Sequence, residues 1–267
     1  MYPNLLGISY LHTYGFLTGI AIVAAMYLAT VLGRQSGIKE KHLNRLFFFG
    51  IVLGILGGRL LHVIQNYEYF LKNPSEILMI NQGGLVIYGA IIMAIITWLT
   101  YIKMNKLPTM KTLDVLLTSL PLGLGIGRIG CFAAGCCYGY PILRADVPWY
   151  AIKFPERSDS IAPTDHYVFP SQLVDAAYNF LILAILLVFR KKFQKYNGQT
   201  SWLFLILYGT FRSISEIYRG DTDRGFVIQG YISTSQAISI PIVLFALYML
   251  IFYKGDKFVT QNCNLKK

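Results

Sequence analysis

The chain has 267 residues, 55% of them hydrophobic and 14% charged, with a net charge of +11 and a mean hydropathy of +0.50. That balance excludes a disordered chain and disfavours a water-soluble domain. A basic excess on so apolar a chain points to anionic lipid at a membrane surface and not to nucleic acid, and four cysteines are too few for a disulfide scaffold.

Apolar runs of about 17 to 25 residues mark helices able to cross the hydrocarbon core. Seven occur, over residues 13–32, 46–64, 83–102, 113–131, 174–189, 201–217 and 236–253. The expected fold is therefore all-α: a polytopic membrane protein of about seven transmembrane helices, forming one integral membrane domain over residues 1–267. The first eleven residues lack a basic n-region, so no cleavable signal peptide is expected. Between the fourth and fifth runs lies a polar stretch, residues 132–173, rich in Pro, Asp and Ser and too long to be an idle connection. It is expected to form an outer loop or head region, with Trp149 and Tyr150 anchored at the interface.

Lysines and arginines orient the spans. Fifteen fall in the loops 33–45 and 103–111, the loop after residue 189 and the tail after residue 253; six fall on the opposite side. The positive-inside bias puts the N-terminus outside and the C-terminus in the cytoplasm. No repeat of 20–50 residues is visible, and the shared Gly-x-Arg of GGRLLHV and GIGRIGCF is too short to argue duplication.

Three arginines, Arg59, Arg128 and Arg212, fall inside or at the ends of spans. An arginine at the bilayer centre costs about 2.5 to 3.5 kcal/mol to insert, so each needs a reason. Arg59 is near the outer third of its span, where snorkelling suffices. Arg128 follows Gly123, Gly125 and Gly127, which allow close approach of another helix or a lipid head group. Arg212 has Glu216 one helical turn on and Arg219 three residues beyond, and Arg212 and Glu216 can simply pair. Taken together, Arg128, Arg212 and Arg219 project at one outer level, with only Glu216 and Asp175 to balance them. A phosphate suits such a cluster, because guanidinium binds it through paired hydrogen bonds; at that depth it belongs to a phospholipid.

Cys131, Cys136 and Cys137 have the spacing C-x4-CC. This is not a standard zinc pattern, and no His lies in the segment. Small, soft packing residues at a helix end are the simplest account; a metal site and a disulfide on the oxidising side are the alternatives. His12, His42, His62 and His166 are each read as ordinary polar residues.

GGLVIYG, GRIGCFAAGCCYG, FPSQLVD and YGTFRSISEIYR, in this order, resemble the bacterial prolipoprotein diacylglyceryl transferases. The resemblance runs from Tyr14-Gly15 to ISTSQAISIPIVL and covers nearly the whole chain. It implies a seven-span enzyme of the bacterial inner membrane with its site toward the periplasm. Such enzymes move the diacylglyceryl group of phosphatidylglycerol onto the lipobox cysteine thiol of an exported lipoprotein precursor, forming a thioether and releasing glycerol phosphate. The partners implied are phosphatidylglycerol, the lipobox peptide and membrane lipid, with no nucleic acid, no cofactor and no metal.

By match, Arg128 and Arg212 fall on the family's critical arginines, and Glu216 and Arg219 on its second acid–base pair. Tyr14 falls on its first-span tyrosine, and Gly135 and Gly139 on its glycines. The resemblance thus puts Arg128, Arg212, Tyr88 and Glu216 at the chemistry, and Arg128, Arg212, Arg219, Tyr14, Gly135, Gly139, Ser171 and Gln172 at the phospholipid. The chemistry agrees: negative charge grows on the departing phosphate, and fixed guanidiniums stabilise it.

The chain departs from the family at several positions. Tyr88 and Phe169 replace its histidines, Cys131 and Ala134 its asparagines, Cys136 its glutamate and Tyr140 its arginine, while Asp175 keeps the acidic position. A tyrosine with a pKa of about 10 is mostly in the wrong state to act as a base at neutral pH. The alternative is a paralogue that binds anionic phospholipid but uses another acceptor or transfers nothing. A transporter or channel has little support, since no inverted repeat or acidic ring appears.

Overall fold

The computed structural model describes residues 13–79, 83–144, 146–155, 163–220, 226–228, 232–253 and 255–258. Its long helices are α1 (Thr13–Gln35), α2 (Glu40–Gln65), α4 (Ile87–Met104), α5 (Thr109–Ala134), α6 (Ser171–Lys192), α7 (Gln199–Ser215) and α8 (Thr234–Phe252), with a short α3 (Tyr67–Lys72). Six of them are long and apolar enough to cross a membrane. The other, α7, has 17 residues, at the lower limit of about 17 for a span. This is a multi-pass, all-α membrane protein. Each of the seven expected runs holds a long helix, although residues 83–86 of the third run precede α4 without helical structure, and most helices extend past the expected bounds because polar flanks such as Glu40 and Lys192 continue the helix beyond its apolar stretch.

Two compact units are present: residues 13–29 with 113–258, and residues 30–112, counting described residues only. In the second unit α2 packs on α4 along a glycine row. Gly50, Gly54, Gly57 and Gly58 are all buried. A methyl on Gly57 would run into the Gly89 carbonyl at 2.6 Å, and one on Gly58 would sit 3.3 Å from that of Val86. With no side chain between them the backbones touch, which gains dispersion energy where burial from water gives none. Trp98 Nε1 then donates to the Leu46 carbonyl at 3.0 Å.

Arg59 also belongs to this unit, and it does not snorkel. It is 7% exposed. Its Nε donates to the Ile77 carbonyl (2.9 Å), Nη1 to those of Gly83 (2.8 Å) and Gly84 (3.3 Å), and Nη2 to that of Glu76 (2.6 Å). Phe70 covers the guanidinium 5.3 Å away. The arginine ties the segment after α3 to α2 by donating to four of its carbonyl groups.

In the first unit, Tyr178, Ile182, Leu186 and Phe204 form the core between α6 and α7, with Leu117 and Leu120 of α5 against it. Tyr178 stacks on Phe211, centroids 5.3 Å apart. Gly123 meets the Ala21 carbonyl of α1, and Gly125 meets the ring of Phe180, so these glycines serve close helix packing. At the opposite end of α5, fully buried Asp114 caps α7. It accepts from the backbone N–H groups of Gly198 (2.7 Å) and Ser201 (2.8 Å), and from Ser201 Oγ and Gln194 Nε2. A carboxylate at a helix N-terminus satisfies donors the helix leaves open and matches its dipole.

The loop after α5 contains strands the sequence did not announce. β1 (Pro141–Ile142), β2 (Ile152–Lys153) and β3 (Tyr167–Val168) form an antiparallel sheet in the order β1-β3-β2, with Pro141 opposite Val168 and Lys153 opposite Tyr167. Phe154 and Val168 are its small core. Trp149 is 95% exposed. A second hairpin, β4 (Phe226–Ile228) with β5 (Ile232–Ser233), leads into α8. Strands of two or three residues carry too little alternation to be read from sequence. His12 lies outside the described residues.

Candidate functional site

The end of α5, the start of α6 and the end of α7 are stitched together by backbone hydrogen bonds. Gly139 N donates to the Phe169 carbonyl (2.9 Å), Phe169 N to that of Tyr140 (3.1 Å), Tyr140 N to that of Tyr218 (3.0 Å), and Gly220 N to that of Tyr138 (3.2 Å). A methyl on Gly139 would sit 2.6 Å from the Phe169 carbonyl, so the weave itself requires glycine there. Above it Phe169 stacks between Tyr140 and Tyr218, both centroids 5.4 Å away. Phe169 and Tyr140, which the resemblance reads as two separate departures, thus belong to one aromatic stack.

α5 ends in a reversal at Gly135, whose φ is +72°. Gly135 N donates to Phe132 O, and Cys136 N to Cys131 O. These are the paired bonds of a Schellman motif, which uses glycine for its left-handed residue. Cys137 is also left-handed, with φ +58°, a conformation L residues other than glycine adopt at a cost. Two side chains of α6 hold this turn: Ser171 Oγ donates to the Cys137 carbonyl and Gln172 Nε2 to that of Cys136, each at 2.7 Å.

The weave positions the arginines. Arg128 Nε pairs with Asp175 Oδ2 at 3.2 Å; Asp175 is 2% exposed and Arg128 20%. Neither Nη group of Arg128 meets an acceptor among the described residues. Arg212 Nη1 pairs with Glu216 Oε2 at 2.7 Å, the neighbour the helical spacing suggested, and also donates to Ser215 Oγ. Glu216 Oε2 accepts in addition from Ser235 Oγ at 2.8 Å. Ser235 is placed by the capping box of α8, in which Ser233 and Gln236 satisfy each other's backbone, and Gln236 Nε2 reaches back to the Ser213 carbonyl. The S-x-x-Q signal for that cap was present in ISTSQ.

The charges of Arg128, Arg212 and Arg219 all act on Asp175, so the three guanidiniums share one neighbourhood. Down α6 from them runs a row of buried polar atoms with no partner among the described residues: Gln172 Oε1, Asp175 Oδ1, Tyr178 Oη and Asn179 Oδ1. At three- and four-residue spacing these share a helix face, and unpartnered buried polar atoms call for a ligand or ordered water. Tyr14, on α1, lies against Gly130 and within electrostatic reach of all three clustered thiols.

Of the residues expected at the site, Arg128, Arg212, Arg219, Glu216, Tyr14, Gly135, Gly139, Ser171 and Gln172 belong to this unit. Tyr88 stands in the first turn of α4, in the other unit. Ser171 and Gln172 spend a donor each on the cysteine turn. The partnership of Ser235 with Glu216 was missed. A site that holds two guanidiniums by one nitrogen each, with their other donors open among the described residues, can take an anion of several oxygens and stabilise charge that grows on it.

Comparison with known proteins agrees with the sequence reading. Residues 3–252 match the family model described as prolipoprotein diacylglyceryl transferase. A phosphatidylglycerol–prolipoprotein diacylglyceryl transferase of Clostridium tetani is 36% identical, covering 94% of this chain and 95% of its own length. One from Clostridium perfringens is 34% identical over 92% and 93%, and one from Finegoldia magna 32% identical over 90% of each. The chain belongs to the prolipoprotein diacylglyceryl transferase family.

Proposed function

We propose that this protein transfers the diacylglyceryl group of phosphatidylglycerol to the cysteine thiol of exported lipoprotein precursors, at the outer face of the bacterial inner membrane, with its N-terminus outside and its C-terminus in the cytoplasm. The observation that carries the reading is the pair of buried anchors, Arg128 with Asp175 and Arg212 with Glu216, in a unit whose Arg219 adds a third positive charge. Sulfur attacks the glycerol carbon, the C–O bond to phosphate breaks, and glycerol phosphate leaves with the electron pair. The guanidiniums hold the phosphate before and during that step. The anchors keep them from reorienting as charge develops, so little reorganisation is needed.

Glu216, between Arg212 and Ser235, fixes the second arginine. Tyr88 takes the place of the family's histidine. The test is mass spectrometry of a lipobox peptide incubated with the purified protein and phosphatidylglycerol. A diacylglyceryl adduct on the cysteine supports the proposal; an unmodified peptide under conditions where a relative modifies it refutes it.

A second reading is favoured by the Tyr140–Phe169 stack, which occupies positions where the family carries an arginine and a histidine. On that reading the chain binds the phospholipid but uses another acceptor. Rescue of lipoprotein maturation in cells depleted of their own transferase separates the two.

A further inference from the structure

We propose that Cys131, Cys136 and Cys137 form a three-thiolate site for one zinc ion, whose fourth position takes the acceptor cysteine thiol and presents it as a thiolate. This rests on the transferase reading, and it supplies what that reading lacks, a group that activates the thiol.

The three Sγ atoms lie within 4.8 Å of one another, and among the described residues no His, Asp or Glu joins them. Tetrahedral zinc with Zn–S bonds of about 2.3 Å holds its sulfurs roughly 3.8 Å apart, so side-chain rotation of about 1 Å closes the cluster on a metal. The backbone is already set for this. The Gly135 reversal turns Cys136 back over the last turn of α5, left-handed Cys137 follows it, and Ser171 and Gln172 clamp both carbonyls. All three cysteines are free thiols of intermediate exposure.

The guanidiniums of Arg128 and Arg219 lie within electrostatic reach of Cys137, which suits a cluster of negative sulfurs. Three thiolates select zinc or copper(I). Copper(I) is saturated by three, whereas zinc with three protein ligands keeps a position for substrate, as in catalytic zinc sites.

Two of the ligands, Cys131 and Cys136, replace polar residues of the family pattern, and the same chain has Tyr88 and Phe169 where the family has histidines. The step balances without redox change. On binding zinc the acceptor thiol releases its proton to water. Its sulfur then forms the bond to the glycerol carbon, and the phosphate leaves toward Arg128 and Arg212. The product thioether is a neutral, weaker ligand and dissociates.

The test uses the full chain in detergent, stripped with a chelator and reloaded with Zn(II) or Co(II). Zinc content, the thiolate-to-cobalt charge-transfer band and transfer to the lipobox peptide are measured. One zinc per chain is expected, lost in Cys136→Ser and Cys137→Ser variants. The cobalt band should change on adding the lipobox peptide but not its Cys→Ser counterpart.

A free cysteine of pKa about 8.5 is only about 3% thiolate at pH 7, so stripping should slow transfer roughly 30-fold and zinc should restore it. Stripped protein that transfers at the full rate, with no zinc or cobalt bound by wild type, overturns the inference and leaves the transferase reading intact. Zinc bound by the three thiols with no transfer in either state overturns the transferase reading instead. The wild-type cobalt spectrum decides even where a cysteine variant fails to fold.

Discussion

Replacing Arg128 by lysine keeps the charge and removes the fork. In the wild type Nε is held by Asp175 at 3.2 Å, and both Nη groups, which meet no acceptor among the described residues, are assigned to phosphate oxygens. A lysine ammonium is a single point on a flexible stem. It either stays with Asp175 or turns to the phosphate, so the second partner loses its contact. Hydrogen bonds to charged groups are worth about 1.5–3 kcal/mol each. Loss of one or two of them at the transition state is roughly 2–5 kcal/mol, or about 30- to 5,000-fold in kcat/KM at 1.36 kcal/mol per decade. The assay is transfer from phosphatidylglycerol to a lipobox peptide, followed by mass spectrometry, with thermal unfolding as a control. A variant that folds as well as wild type and transfers within threefold of it would refute the bidentate role of Arg128.

Asp114→Ala strips four donors of their shared acceptor at the α7 N-terminus and is expected to cost about 3 kcal/mol of stability, read as a lowered midpoint in thermal or denaturant unfolding. Gly57→Val drives a branched side chain into the Gly89 carbonyl, and overpacking of about 1–3 kcal/mol or more should follow; wild-type stability in that variant would contradict the α2–α4 contact. Phe169→Ala removes two ring stacks of about 0.5–1.5 kcal/mol each beyond area burial, so both stability and transfer should fall. Tyr88→Phe should slow transfer without lowering stability, and an unchanged rate removes its hydroxyl from the reaction.

The spans were legible because the bilayer imposes length and hydrophobicity on each helix directly. The Arg212–Glu216 pair was legible because it is one helical turn. The Arg128–Asp175 pair spans two helices and follows only from packing, so the sequence could mark both residues and not their bond. Arg59 was misread as snorkelling because its partners, the carbonyls of residues 76, 77, 83 and 84, carry no side-chain signature. The cysteines were the hardest. C-x4-CC looks wrong for a metal until the helix ends at Gly135 and folds the last two back on the first.

The most direct measurement of the central claim is the rate of thioether formation on a lipobox peptide by Arg128→Ala and Arg212→Ala proteins that remain folded in detergent. If anchored guanidiniums carry the departing phosphate, each variant loses transfer by several orders of magnitude while its carboxylate partner and the fold stay in place. Transfer at near wild-type rates by both variants would contradict the account.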